Sequence, residues 1–274
     1  MADHGQNLSD LNPEILKLPQ YLQDEFNKRF EKEGTADYLI LRAEDCIKII
    51  ENEKAEAIKR ETKKTKNRKS QRLAKIQLWV DLYQQEFNVD IRKDIENLYI
   101  PKRQKGFNWL IIVHKSFTAM RIFNKLMEKF YCVIESKNMY NLEGVKTVVE
   151  RPDTRIYAIW AKDRVEADIE HKFKSAVQIK KEDINSITLE ERLLLELWYY
   201  RKNSRLGSER VLKQSSRPTK NHLDLDKETL CAGSRVFNDT VPFVRWDDSD
   251  KMVRVGCCRV YSSMNSLCCR QVVS

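Results

Sequence analysis

The sequence predicts an α+β protein: a helical N-terminal region, then a small α/β unit, then a mixed α+β module. Three observations lead there. Apolar residues recur at helical steps up to Pro101. From Gly106 the texture switches to short runs of β-forming residues with one helical stretch between them. From Thr229 onward, short alternating segments are separated by turn residues. The three parts are 1–104, 105–155 and 156–274. The whole chain is 274 residues long, which suits two modest domains at roughly 100–200 residues each.

The elements follow in order. Residues 1–19 read as a frayed lead-in with Pro13 and Pro19. From Gln20, Tyr21, Leu22, Phe26 and Phe30 fall near one helical face, and Gly34 ends that helix. A second helix begins near Thr35 on Leu39, Leu41, Ala43, Cys46, Ile47 and Ile50. Between Ile58 and Leu73 no large apolar residue occurs, so a helix there has no face to bury. Apolar spacing resumes at Leu73, Ile76, Val80 and Tyr83, and continues through Phe87, Ile91 and Ile95.

Phe107 to Val113 reads as a buried strand, Ser116 to Lys129 as a helix, and Tyr131–Ile134, Val145–Val149 and Ile156–Trp160 as strands. Thr188-Leu189-Glu190-Glu191 is a capping box: the Thr oxygen accepts from the third helical N–H and the Glu reaches back. Leu189, Leu193, Leu197 and Tyr200 extend that helix. Lys202–Lys220 is polar and basic with Pro218, and reads as an exposed loop. Val241–Trp246 and Val253–Val255 alternate about a turn at Asp247–Asp250, the pattern of a hairpin.

Several function classes are disfavoured. No apolar run approaches the roughly 18 residues of a membrane span, and the polar start, Met1 to Asn7, lacks a secretory signal, so the expected compartment is the cytoplasm. Neither a GxxxxGK[ST] nor a GxGxxG phosphate loop is present. Ser234 lacks the second glycine of a nucleophile elbow, and no histidine follows it. Asp163, Glu166, Asp168, Glu170 and His171 lie among Lys162, Arg164, Lys172 and Lys174, and read as a solvated charged surface. Cys257-Cys258 and Cys268-Cys269 are adjacent pairs, whereas structural zinc ligands are usually spaced by two to four residues. The expectation is no enzyme, no catalytic residue, no metal and no cofactor.

Charge is concentrated. Lys and Arg number 50 against 41 Asp and Glu, a formal charge of +9. Lys54–Lys75 holds ten basic residues and two acidic ones, so this stretch carries nearly all of the excess. It suits a coiled coil or a phosphate-backbone contact through Lys59, Arg60, Lys63, Lys64, Lys66, Arg68, Lys69 and Arg72. It contains no aromatic residue to stack on bases.

The tail has another composition. Val253–Ser274 contains no Lys, Asp or Glu, although 33% of the chain is charged. Four cysteines, three arginines and many Ser and Val stand there instead. Tyr and Arg are common binding anchors.

Thr229-Leu230-Cys231-Ala232-Gly233-Ser234-Arg235, then Val241-Pro242-x-Val244-x-Trp246, then Arg270-Gln271-Val272-Val273-Ser274, resembles the C-terminal module of variable proteins diversified by diversity-generating retroelements. Tyr157–Asp168 and the helix Ile187–Tyr200 resemble the same family. The resemblance covers roughly 105–274. The family pattern has Trp and Pro where Cys257 and Val260 stand, Arg where Cys268 stands, and a shorter connection before His222-Leu223-Asp224.

The resemblance implies a C-type-lectin-like fold for 156–274. It also implies a gene end rewritten by an error-prone reverse transcriptase that mutates adenines. AAC and AAT codons then become NNC and NNT codons, which never encode Lys, Glu, Gln, Met or Trp. Within Val253–Ser274 only Met264 and Gln271 fall outside that coding set. The expected function is therefore reversible recognition of a macromolecular ligand, most simply a protein, with no membrane partner. The expected variable surface is Val236, Phe237, Asn238, Thr240, Phe243, Arg245, Asp247, Asp248, Arg254, Gly256, Cys258, Arg259, Tyr261, Ser262, Ser263, Asn265 and Ser266. Phe243, Arg245, Arg259 and Tyr261 are the expected anchors. The lectin-like fold does not itself imply sugar or calcium binding. The alternative is a nucleic-acid-associated protein acting through 54–75.

Overall fold

The computed structural model describes residues 20, 21, 23, 24, 28, 43–135, 141–210, 221–237 and 239–274, with side chains described outside 43–51, 53, 64–69 and 205–210. The chain divides into two compact units, residues 1–72 and 73–274. The helix expected from Gln20 and the start of the one expected from Thr35 fall largely outside the described residues; from Ala43 onward the second is helical.

Helix α1 (Ala43–Phe87) runs unbroken through the basic stretch. Lys54, Lys59, Arg60, Lys63 and Arg72 are exposed along it, as a helix without an apolar face requires. Burial begins later than the spacing suggests. Leu73 is exposed, Ile76 is half-buried, and Trp79, Val80, Leu82 and Tyr83 are buried. The helix stops at Phe87 because Asn88 adopts a left-handed φ of 55°. Helix α2 (Arg92–Ile95) is a single turn.

The second unit is mixed α+β. Its strands and helices are β1 (Phe107–His114), α3 (Ala119–Met127), β2 (Cys132–Glu135), β3 (Lys146–Thr147), β4 (Ile156–Lys162), α4 (Ala176–Lys181), α5 (Leu189–Arg210), β5 (Glu228–Leu230), β6 (Ser234–Arg235), β7 (Thr240–Asp247), β8 (Met252–Arg259), β9 (Leu267–Cys269) and β10 (Val272–Val273). They form a three-stranded sheet in the order β1-β4-β10, a five-stranded sheet β2-β8-β7-β5-β9, and the pair β3-β6. Strand β2 runs parallel to β8 and β9 parallel to β5, while β7 and β8 form the antiparallel hairpin. The segments 105–155 and 156–274 thus share sheets: β1 pairs with β4, and β2 with β8.

Helix α5 packs on α3, on β1 and on β7, and so lies against both larger sheets. Leu189, Leu193, Leu194, Leu195 and Leu197 are completely buried in it. Its first half is buried nearly all round, Glu191, Arg192 and Glu196 included. Its start is the expected capping box: the Thr188 N–H donates to Glu191 Oε2 at 2.8 Å, and the Glu191 N–H donates to Thr188 Oγ1 at 3.2 Å. Its end differs from expectation. The helix continues to Arg210, through half of the stretch read as a loop. Nothing from Lys202 to Arg210 breaks a helix outright, since proline first appears at Pro218, and a polar sequence can extend a helix into solvent. Residues 211–220 lie outside the described residues.

The free edge of β1 is covered by α1. Lys75 Nζ donates to the Asn108 carbonyl at 2.6 Å, Trp79 Nε1 to the Leu110 carbonyl at 2.8 Å, and the Tyr83 hydroxyl to the Ile112 carbonyl at 3.0 Å. The Tyr83 oxygen also accepts from the His114 N–H at 3.1 Å. Four helical residues rise about 6 Å and two strand residues about 6.7 Å, so donors four apart meet carbonyls two apart. A strand edge left open would be a template for unwanted pairing.

Candidate functional site

The hairpin β7–β8 separates its side chains by alternation. Val244, Trp246, Val253 and Val255 point inward and are buried in the main core. Phe243, Arg245, Asp247, Arg254 and Cys258 are half-buried on the other side, where Val241 is buried in a second apolar cluster that Phe243 and Cys258 pack against. These five belong to the expected variable surface, and strand geometry brings them onto one face; Thr240 alternates to the opposite side.

Arg245 and Arg254 stand directly opposite each other across the hairpin. Like charges in that register repel, and carboxylates from four sides offset the repulsion. Arg254 Nε meets Asp247 Oδ2 at 2.7 Å and its Nη1 lies 3.7 Å from Glu135 Oε1 on β2. Arg254 also pairs with Asp250 in the turn. Arg245 lies 3.5 Å from Glu135 Oε2, 3.6 Å from Glu228 Oε1 on β5 and 3.7 Å from Asp247 Oδ2. The Asp250 N–H and then the Arg254 side chain hold the Asp247 carboxyl below its usual range. Burial pushes Glu228 up, against the pull of Arg245.

At the end of β8 Arg259 is exposed; beyond it Tyr261, Ser263 and Asn265 are exposed, while Ser262 and Ser266 are half-buried. Tyr261 is 76% exposed and Phe237 56% exposed. Asp248 lies in the exposed turn and accepts from Lys251 at 2.7 Å. Two expected surface residues are placed otherwise. Val236 is buried with the main core, and Gly256 is buried beneath the Phe243 ring. Asn238 lies outside the described residues, as do the side chains of Lys64, Lys66, Arg68 and Lys69.

Behind this face lies a buried ionic cluster that sequence reading did not single out as a unit. Arg192 on α5 donates to Asp224 Oδ2 through Nη2 at 2.8 Å and to Glu196 Oε2 through Nη1 at 2.8 Å. Arg270 reaches the other Asp224 oxygen, Oδ1, at 2.6 Å and donates to Thr229 Oγ1 at 3.0 Å. His222 Nδ1 lies 2.9 Å from Glu196 Oε1, and its ring stacks on Trp246 at 3.7 Å and 8°. Arg192, Glu196 and Asp224 are fully buried, and Arg270 is 1% exposed. Burial alone would raise the Asp224 carboxyl; Arg270 and Arg192 outweigh it and hold Asp224 below its usual range.

Two guanidiniums against two carboxylates balance the cluster, which is the condition for tolerating charge in an interior. Arg192, Asp224 and Arg270 come from three separate segments quoted above for the resemblance. No family model matches the chain, and neither a curated protein nor a solved structure does.

The acidic patch near His171 also differs from expectation. Asp168 and His171 are buried rather than solvated. Asp168 Oδ2 accepts from the Gln271 N–H at 2.8 Å and pairs with Lys162 at 3.2 Å, fastening the last strand. Glu166 accepts from the N–H groups of Leu225, Asp226 and Lys227. Glu170 with Arg164 remains at the surface. The paired cysteines diverge as strand residues do: Cys257 packs against the main core and Cys258 against a second apolar cluster. Burial pushes the Cys258 thiol up to about 11. Among the described residues, no three His, Cys, Asp or Glu side chains gather into a metal site, and no helix is long and apolar enough to cross a membrane.

Proposed function

We propose that this chain is a ligand-binding protein of the retroelement-diversified kind, acting in the cytoplasm, with a C-type-lectin-like module over 156–274. The outer side of β7–β8 and the loop 259–266 form its recognition face, and the ligand is a protein. One observation carries the reading. The residues the resemblance implies as variable, Phe243, Arg245, Asp247, Arg254 and Cys258, share one face of one hairpin. Their inward neighbours Val244, Trp246, Val253 and Val255 are locked into the main core, while Phe243 and Cys258 rest on the second apolar cluster. A rigid scaffold with interchangeable outward side chains loses little ordering entropy on binding. Affinity then rests on Phe243, Arg245, Arg259 and Tyr261. The reaction is reversible association, and no chemical step is assigned.

The decisive test is genomic. A near-copy of the gene's 3′ end, differing chiefly at adenines and adjacent to a reverse-transcriptase gene, is expected. Its absence removes the diversification reading. Binding is tested separately: Tyr261→Ala and Arg259→Ala together are expected to abolish capture of a ligand selected on the intact chain, with the melting temperature unchanged.

A second reading is supported by the exposure of Lys59, Arg60, Lys63 and Arg72 along an unbroken helix. These side chains can neutralise phosphates without reading sequence. Under this reading the chain binds random duplex DNA at low salt, and both moderate salt and charge reversal at Lys59, Arg60 and Lys63 abolish the binding. DNA binding that survives the reversal rules it out.

A further inference from the structure

A cavity of about 1080 Å³ opens in the second unit between the β3–β6 ribbon and the end of α4. Val149, Ile179, Ile184 and Val236 give it apolar walls, and Ile179 and Val236 are buried. None of the residues lining it belongs to β7, β8 or the loop 259–266, so it is separate from the proposed recognition face.

Two cations line this cavity without a counter-charge. Lys146 on β3 and Arg235 on β6 stand directly opposite each other in the antiparallel register. Like charges so placed repel. Arg245 and Arg254 face each other in the same way, but there Glu135, Glu228 and Asp247 surround the pair. Among the described residues no carboxylate pairs with Lys146 or Arg235. Burial pulls the Arg235 guanidinium below its usual range, and no neighbouring charge raises it back. Lys180, Glu150 and Asp183 complete the charged lining, and all three are exposed.

The hydrogen bonds of Arg235 leave one edge of its head free. Nη1 donates to the Ala232 carbonyl at 2.9 Å and to the Ser234 carbonyl at 2.7 Å, which anchors the guanidinium on its own turn. Nε and Nη2 have no partner among the described residues, and neither atom is enclosed by protein. Their N–H groups point the same way along one edge of the planar fork, the edge that takes both oxygens of a carboxylate.

We infer that this cavity binds a small apolar carboxylate, with both oxygens on the Nε–Nη2 edge of Arg235, Lys146 as the second positive charge, and the hydrocarbon body against Val149, Ile179, Ile184 and Val236. The ligand supplies here the counter-charge that the protein itself supplies to Arg245 and Arg254. A neutral analogue of the same shape leaves the two cations unpaired, and a bare anion leaves the apolar walls wet.

Three probes test the site on the full chain by calorimetry and ligand-observed NMR: 4-phenylbutanoate, 4-phenylbutanol and inorganic phosphate. The carboxylate is expected to bind, and the alcohol and phosphate each at least about tenfold more weakly, the loss of one charged hydrogen-bonding partner or of one buried ring. Arg235→Gln removes the fork and is expected to abolish the preference for the carboxylate over the alcohol. Lys146→Glu sets a carboxylate across from Arg235 on an exposed position; it is expected to abolish phenylbutanoate binding with the melting temperature equal or higher, and it decides the matter if Arg235→Gln does not fold. The proposal is overturned if the wild-type chain binds no phenylbutanoate at millimolar concentration, if phosphate or the alcohol binds as tightly, or if Lys146→Glu binds the carboxylate as before.

Discussion

The tip of the Phe243 ring occupies the space that a side chain on Gly256, its partner on the neighbouring strand, would need. A Cβ at position 256 would stand 2.3 Å from Phe243 Cζ and 2.8 Å from both Cε atoms. Two residues of the candidate face are therefore one steric unit: the aromatic ring has its place because its cross-strand partner has no side chain.

Gly256→Ala is expected to swing the ring outward and destabilise the chain by about 1–3 kcal/mol, the usual range for overpacking. Phe243→Ala should relieve most of that loss, giving a coupling of about 1 kcal/mol or more in a double-mutant cycle. Urea unfolding of the four chains measures it, and additive effects would refute the unit. In a diversified population, large residues at 243 are expected to occur with glycine at 256.

The surface ion pairs of the same face should contribute little to stability. Arg245 is about a third exposed and three carboxylates share it at 3.5–3.7 Å, so solvent screens each contact. Arg245→Ala is expected to shift unfolding by less than about 1 kcal/mol while reducing ligand capture. A large loss of stability would show that Arg245 is structural rather than available for contact.

The buried cluster should govern the acid limb of stability. The folded Asp224 carboxyl titrates below its unfolded value of about 3.9. Over the interval between the two values the unfolded chain binds more protons, so stability rises with pH there. The contribution is fully present above the unfolded value and is lost as pH falls through the folded one. Urea midpoints should therefore drop below about pH 4. Asp224→Asn leaves Arg192 and Arg270 without their shared counter-charge, with an expected cost of about 3–5 kcal/mol at neutral pH. An unchanged neutral stability, or an unchanged acid limb, would contradict this role.

Tyr83→Phe tests the covered edge of β1. It removes the donor to Ile112 and the acceptor for the His114 N–H while leaving the ring in place. A loss of about 1–3 kcal/mol is expected, because two buried backbone groups lose their partner. Faster amide exchange should appear at His114, read by NMR. Unchanged exchange there would mean that the edge is protected by packing alone.

Much of the second unit is legible from spacing alone. The strand at Phe107, the helix after Ser116, the Thr188 capping box and the β7–β8 hairpin each depend on residues close in sequence, and local rules suffice for them. The same alternation foretold that Phe243 and Arg245 would share a side; Asp247, read as part of the turn, joins them as the last residue of β7. Where local rules misled, a distant partner or a missing breaker decided. Lys202–Arg210 looked like a loop on polarity but extends α5, since no proline interrupts it. Asp168 and His171 looked solvated among lysines and arginines, yet the returning last strand covers them. Val236 was expected at the surface from the resemblance, but it packs in the main core.

By itself the sequence determined the α+β class, the order of most elements in 107–273 and the inward and outward alternation of the hairpin. All of these follow from periodicity and capping within a few residues. Only the tertiary structure decided that Arg192, Asp224 and Arg270 form one buried cluster, that Lys75, Trp79 and Tyr83 close the edge of β1, and that Phe243 rests on Gly256. Those relationships join residues brought together by strand register and helix packing, and the cost of burying a charge or a bare backbone group can be judged only when all its neighbours are known.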